Sequence, residues 1–246
     1  MSYAVTIGVC TFNRLPITAK YLPSIVERVG DIDAEIIIWD NFSNDGTFDW
    51  LWEWSKSIPQ EIKIVGSTCN LGMEAFNRIA AMGEGQYFLK IDDDLEVPRN
   101  FAQRLVRAHR LIDDEKLLYL SWDLQWAGTA SFALRSGTQM YRDDRGYQAK
   151  IKGGTGLITN WGHKWLVNGA CRLSPRDKFL QCGGHPKGAL YGIDFRVSKA
   201  AYKHGYRVGF WHVPGELIIH CEEPDAPGYR QFKDRELRKN KGPRHV

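Results

Sequence analysis

Along the first half of the chain, short apolar runs alternate with segments in which apolar residues recur every three or four positions. Ala4–Cys10 is nearly continuous in apolar character, the pattern of an inner strand of a parallel sheet covered on both faces. Pro16, well placed for a first helical turn, introduces Ile17, Tyr21, Leu22, Ile25, Val26 and Val29 at helical spacing, and Gly30 ends the run. Ala34–Trp39 predicts a second strand, Phe48, Leu51, Trp52 and Ser55 a second helix, and Glu61–Val65 a third strand. Met73–Met82 is built of good helix formers. Tyr87–Ile91 reads as a buried fourth strand that ends in three acids, Asp92, Asp93 and Asp94. A helical face follows in Phe101, Leu105, Ala108 and Ile112, and Lys116–Ser121 returns to strand. Such alternation predicts an α/β fold with a doubly wound, mainly parallel, Rossmann-like sheet, whose ligands collect beyond the C-terminal ends of the strands. Thr11–Arg14, Asp40–Thr47 and Asp92–Asp94 all fall there.

After Trp122 the alternation breaks into a stretch rich in glycine and charge, which reads as acceptor-side loops. Lys164–Cys171 suggests a further strand, Cys182–Pro186 a turn, and Gly192–Tyr202 a helix opening near Asp194. Arg207–Trp211 and Glu216–His220 read as closing strands. Gly153-Gly154-Thr155-Gly156 is a glycine-dense loop whose mid-chain position suits a flexible lid. Residues 1–122 and 123–221 therefore form two halves of one domain, and 222–246 is a tail. From Gly228 onward that tail carries seven Lys or Arg against Asp234 and Glu236, a solvated segment able to touch anionic lipid or nucleic acid.

Composition narrows the picture. With 246 residues and 43% hydrophobic content the chain can bury one sizeable core. A net charge of +4 tolerates anionic ligands but does not announce a nucleic-acid binder. Five cysteines, Cys10, Cys69, Cys171, Cys182 and Cys221, are widely spaced with no Cys-x-x-Cys pair, which points to a reducing, cytoplasmic setting rather than a disulfide framework or zinc knuckle. No charged-then-apolar leader precedes the first strand, and no apolar run approaches the roughly 18 residues of a membrane span.

The acid triplet carries the chemistry. Three adjacent carboxylates repel one another, and a hard divalent cation such as Mg2+ or Mn2+, which takes oxygen ligands and substrate phosphates, is the natural remedy. A solvated acidic turn is the competing reading, disfavoured by the apolar strand before it and Val97-Pro98 after it. Neither the Gly-x-Gly-x-x-Gly of a dinucleotide fold nor a P-loop follows the first strand, so NAD and ATP chemistry are disfavoured.

The ordered set Thr11-Phe12-Asn13-Arg14, Asp40-Asn41-x-Ser43-x-Asp45-Gly46-Thr47, Asn70-Leu71-Gly72, Asp92-x-Asp94 and Tyr191-Gly192-x-Asp194 resembles family 2 glycosyltransferases of the GT-A fold, over residues 4 to about 220. That resemblance implies a nucleotide-sugar donor, a divalent metal and inversion at the anomeric carbon. It implies that Thr11, Asn13, Arg14, Asp40, Asn70, Gly72, Arg78, Asp92 and Asp93 serve the nucleotide sugar, with Asp40 at the base and Asp92 by the ribose. Asp94 and His220 match the metal positions, and Asp194 the catalytic base. Departures are Phe76 before Asn77, where the family often has Arg, and Ile193 before Asp194, where it often has Glu; the second leaves the base role on Asp194 alone. On an alternating strand Asp93 points to the other face from Asp94, so its substitution is expected to matter less.

Trp161, Trp165 and Tyr191, with Trp122 and His163, offer flat or polar faces to an acceptor, although most of the nine tryptophans are expected in the core. A structural histidine is an equal reading for His220. The expectation is an inverting, metal-dependent transferase moving a hexose or pentose from a nucleoside diphosphate, with uridine favoured, to a hydroxyl of a glycan or lipid-linked glycan. Transfer to a modified nucleic-acid base, or a catalytically silent sugar- or nucleotide-binding module, are the alternatives.

Overall fold

The computed structural model describes residues 3–126, 146–159, 167–187 and 193–221. The first half runs β1 (Val5–Thr11), α1 (Leu15–Glu27), β2 (Ala34–Asp40), α2 (Thr47–Ser55), β3 (Ile62–Gly66), α3 (Glu74–Met82), β4 (Tyr87–Ile91), β5 (Leu95–Glu96), α4 (Phe101–Ile112) and β6 (Leu117–Trp122). There follow β7 (Leu124–Trp126), β8 (Gly146–Ile151), β9 (Gly154–Thr159), β10 (Cys171–Pro175), α5 (Arg176–Gln181), α6 (Ile193–Lys203), β11 (Arg207–His212) and β12 (Ile218–His220).

One sheet of order β3-β2-β1-β4-β10-β6-β11-β9-β8 crosses both halves of the chain. Strands β3, β2, β1 and β4 pair in parallel, as do β6 and β11. Successive residues of β2 serve opposite cores: Ile36 and Ile38 pack with α1 residues Leu22 and Ile25 and α4 residues Phe101 and Leu105, while Ile37 and Trp39 pack with α3 residues Phe76 and Ile79. Burial on both faces is why these strands read as continuous apolar runs rather than alternating ones.

The doubly wound expectation holds for the first half, and three details differ. Strand β10 enters the centre of the sheet antiparallel to both β4 and β6, so the sheet is mixed. Its start at Cys171 lies where the expected strand over Lys164–Cys171 ends, and residues 160–166 are outside the described residues. Glu216–His220 closes a second sheet, β5-β12-β7, rather than the main one. The glycine-dense loop is a hairpin: Ile151 pairs with Gly154 across a two-residue turn with Gly153 at φ +105°, and β9 is itself hydrogen-bonded to β11. Its glycines are needed for close packing, since a Cβ at Gly154 would meet Trp211 and one at Gly156 would meet Ile112. A strand tied on both sides is no free lid.

Among the described residues no helix is long and apolar enough to cross a membrane.

Candidate active site

Parallel strands deliver β1, β2 and β4 to a common edge, and three loops leave from it. Arg14, at the start of α1, sends its guanidinium across this edge to the acid triplet. Nη1 donates to Asp93 Oδ1 at 3.0 Å and Nη2 to Asp94 Oδ2 at 2.6 Å. All three side chains are buried. Thr18 Oγ1 donates to the second oxygen of Asp93 at 2.6 Å and so accepts from Thr11 Oγ1, 2.8 Å away. Asp92 points elsewhere: its carboxylate takes the Lys90 ammonium and its peptide N–H donates to Ala170 O at 2.8 Å. Protein cations therefore offset two of the triplet's three charges, Arg14 holding two carboxylates and Lys90 the third. Repulsion among the three acids does not by itself demand a metal.

The remaining loop residues divide into those consumed by loop-to-loop bonds and those left open. Asn13, in the left-handed region at φ +50°, donates its N–H to Ser43 Oγ and accepts from Asn44 N–H at Oδ1. Asn41 donates to Asn70 Oδ1 and Gly72 O and accepts from Leu71 N–H, while Gly72 N–H donates to Asn70 Oδ1. Thr11, Asn13, Asn70, Gly72 and Asp93 thus shape the loops with their polar groups already engaged. Arg78 lies away from this cluster, on the outer face of α3, with its side chain 60% exposed and 3.6 Å from Glu74.

Two acid oxygens stand out. Asp40 Oδ2 accepts from Ser43 N–H at 3.0 Å, but its buried Oδ1 has no hydrogen-bond partner. Asp40 lines an open pocket of about 480 Å3 whose rim carries Phe42, 56% exposed, and Phe48, 37% exposed. Phe42 sits at φ +74°, a conformation that costs a non-glycine residue about 1–2 kcal/mol. Asp94 Oδ1 is likewise buried without a partner. The small sheet brings His220 beside it: His220 pairs with Leu95, Cys221 N–H donates to Asp94 O at 3.0 Å, and His220 Nε2 stands 3.7 Å from Asp94 Oδ2. Among the described residues no cluster of three or more His, Cys, Asp or Glu forms a complete metal cage. Asp94 and His220 fit an oxygen- and nitrogen-ligated cation whose other ligands come from phosphate and water.

Asp194 opens α6 with its side chain 42% exposed, 3.7 Å from Arg172 Nη1. Burial, with a smaller push from Asp92, raises its carboxyl above the usual aspartate value, against the pull of Arg172, Lys90 and the Gly169 N–H. Residues that sequence reasoning left without a role hold this half of the site: Arg172, His185 and Asn77, whose side chain grips the His185 peptide through both N–H and C=O. The sequence marked Asn77 only through the family resemblance, as the helix Asn that follows Phe76.

Trp122 is no acceptor platform. It is fully buried, its Nε1 donates to Glu216 O, and Arg104 stacks over its ring. Trp161, His163, Trp165, Tyr191 and the tail 222–246 lie outside the described residues. A cavity of about 870 Å3 opens at the opposite edge of the sheet among Glu27, Asp31, Glu35, Glu61 and Glu84. That acidic lining repels a phosphate-bearing ligand, and the C-terminal strand edge is the ligand edge of such sheets.

Residues 6–122 match the model of glycosyl transferase family 2. Comparison with curated proteins finds no match. Among solved structures, the mannosyltransferase PcManGT from Pyrobaculum calidifontis, in complex with GDP-Man and Mn2+, is similar with a TM-score of 0.65 and 19% identity, covering 96% of this chain and 61% of that one. GalNAc-T7 with UDP, GalNAc and Mn2+ gives a TM-score of 0.67 at 17% identity, covering 92% and 45%. S. aureus TarS 1–349 in complex with UDP-GlcNAc gives 0.60 at 13% identity, covering 90% and 59%. This chain spans less than two thirds of each of these proteins, and at such identities the likeness is one of fold. Sequence match and fold agree: residues 6–122 match the glycosyl transferase family 2 model, and the chain has the mixed α/β fold of its GT-A neighbours.

Proposed function

We propose that this chain moves a sugar from a nucleoside diphosphate to an acceptor hydroxyl, with inversion at the anomeric carbon and with the help of Mn2+ or Mg2+. The observation that carries the reading is Asp94 Oδ1, a buried carboxylate oxygen with no hydrogen-bond partner, beside His220 at the ligand edge of the sheet. A buried charge left in that state is costly, and a hard cation shared with a diphosphate relieves it. When bound, the cation stabilises as a Lewis acid the negative charge that grows on the leaving diphosphate.

The chain's own residues do the rest. Asp40 Oδ1 accepts an N–H from the base, which suits the imino group of uridine, and Phe42 and Phe48 give the base flat walls. Asp92 receives the ribose. Asp194, on the acceptor side, takes the proton of the attacking hydroxyl, and a single displacement assisted by that one base inverts the anomeric carbon. In this division of roles residues 1–122 hold the donor and 123–221 the acceptor, a glycan or lipid-linked glycan. GDP-Man, UDP with GalNAc, and UDP-GlcNAc accompany the similar structures, which supports a nucleotide-sugar donor.

One observation favours a second reading. Arg14 already engages Asp94 Oδ2, as suits a module that binds a nucleotide sugar without metal and without turnover. Release of nucleoside diphosphate from a panel of nucleotide sugars, with Mn2+ and with EDTA, separates the two. Metal-dependent turnover lost in Asp94→Asn supports the transferase; donor binding unaffected by EDTA, without turnover, supports the silent module.

A further inference from the structure

Beneath Asp194 the sheet buries two cations side by side. Lys90 of β4 and Arg172 of β10 are cross-strand partners, 3% and 2% exposed. Each faces one carboxylate: Lys90 bonds Asp92, and Arg172 Nη1 lies 3.7 Å from Asp194 Oδ1. Charges at this depth are costly unless paired and hydrogen-bonded.

The surroundings of Arg172 fix its guanidinium. Nη2 bonds His185 Nε2 at 3.2 Å, and the guanidinium carbon stands 4.7 Å from the centre of the Tyr119 ring. His185 is itself buried; burial first, then the charges of Arg172 and Lys90, push its imidazole well below the usual value, so the ring is neutral and its Nε2 accepts. What is left over is Nη1, buried and without a hydrogen-bond partner, with the Asp194 carboxylate in front of it. From the other side Gly169 closes on the same carboxylate. Its N–H donates to Asp194, and a Cβ at position 169 would stand 2.4 Å from Asp194 Oδ1.

We propose that Arg172 is a positioning residue for Asp194: a guanidinium locked by His185 and Tyr119 that, together with the Gly169 N–H, aims the Asp194 carboxylate at the acceptor. The assignment rests on the reading of Asp194 as the proton acceptor. A buried N–H without a partner costs free energy, so Nη1 draws the carboxylate in, and contacts of this kind are commonly long before substrate arrives. The groups facing Asp194 balance in a way that suits a base. Burial and Asp92 favour the neutral acid, while Arg172, Lys90 and the Gly169 N–H favour the carboxylate. Arg172 heads the second set and keeps the group ionised where it must accept a proton.

The test uses the full chain with carbon-13 in its aspartate carboxyl groups, in wild-type form and as Arg172→Met, Arg172→Lys and Gly169→Ala, with Asp194→Asn to assign the Asp194 resonance. The carboxylate that Arg172→Met leaves behind belongs to a side chain 42% exposed, so water can meet its charge as it could not in a fully buried pair. Asp194 should titrate at higher pH in Arg172→Met than in wild type, and Arg172→Lys should lie between them. With Mn2+ and UDP-glucose or GDP-mannose as probes, kcat in Arg172→Met should fall at least about tenfold while the donor KM holds, and part of the loss should return as pH is raised. An unmoved Asp194 titration in a folded Arg172→Met chain overturns the proposal. Should that variant not fold, Gly169→Ala carries the same comparison, because its new Cβ displaces the carboxylate without touching the buried cation; an unmoved titration there overturns the proposal equally. If Arg172→Met shifts the titration while Asp194→Asn leaves sugar transfer intact, the pairing stands and the proton-acceptor reading falls.

Discussion

Replacing Arg14 by methionine should unsettle the whole donor edge, because one guanidinium is the cation shared by two buried carboxylates. The side chains of Arg14, Asp93 and Asp94 are 11%, 2% and 6% exposed, so the pairs are not screened as surface pairs worth about 0–1 kcal/mol would be. Arg14→Met leaves Asp93 with Thr18 alone and Asp94 with no donor nearer than His220 at 3.7 Å. Removing one partner of a buried ion pair costs about 3–5 kcal/mol. In a chain of this length each kcal/mol moves the melting point by about 2–4 °C, so a fall of about 6–20 °C is expected. Arg14→Lys should recover only part, since an ammonium cannot fork to both acids. Thermal melting and urea unfolding with an unchanged m value measure the loss. Combining Arg14→Met with Asp93→Asn should cost less than the two single changes added together, because the pair shares one interaction. A fall of under about 2 °C in Arg14→Met would refute the reasoning, since it would place the cluster with exposed pairs.

Asp194→Asn should cut transfer by a factor of about 100 to 10,000 and at the same time raise the melting point at neutral pH. The carboxyl titrates higher in the folded chain than unfolded, so the native state holds more protons in that window and stability falls as pH rises through the folded value. The gain from Asn should therefore disappear as pH drops below the usual aspartate range, and a gain that persists there would contradict the sign. Phe42→Gly relieves a positive φ and should not lower the melting point, yet it should weaken nucleoside diphosphate binding in calorimetry if Phe42 walls the base. Trp122→Ala should cost about 3–5 kcal/mol by urea unfolding, where an acceptor platform would lose affinity and little stability.

The apolar runs made β1, β2 and β4 legible because each is largely buried on both faces, whereas the edge strand β3, with Lys63 exposed, showed itself by alternation; the acid triplet was legible because it breaks such a run. Strand β10 was harder to see because two of its five residues, Arg172 and Ser174, are polar yet buried. Nothing local to Cys171–Pro175 reveals that Arg172 meets a histidine 13 positions away and an aspartate on a later helix. Arg14 was expected at the nucleotide, and its clamp on Asp93 and Asp94 escaped for the same reason. The triplet's repulsion was visible in one dimension, whereas the cation that quenches most of it arrives from residue 14 through the parallel pairing of β1 with β4. Asp93, expected on the other face from Asp94, instead shares the Arg14 guanidinium with it, because both lie past the end of β4 in the bend before β5, and buried there Asp93 anchors the Arg14 clamp. Its substitution should therefore matter to stability more than a surface acid would. The glycine loop misled because glycine marks close approach as readily as flexibility.

The central claim is that the donor is held through a divalent cation at Asp94, and calorimetric titration of the full chain with UDP and GDP, in Mn2+ and in EDTA, tests it most directly. The account predicts binding of a nucleoside diphosphate in Mn2+ that EDTA abolishes and that Asp94→Asn weakens by at least about tenfold. Equal affinity in EDTA, or an Asp94→Asn chain that binds as wild type does in Mn2+, would contradict it.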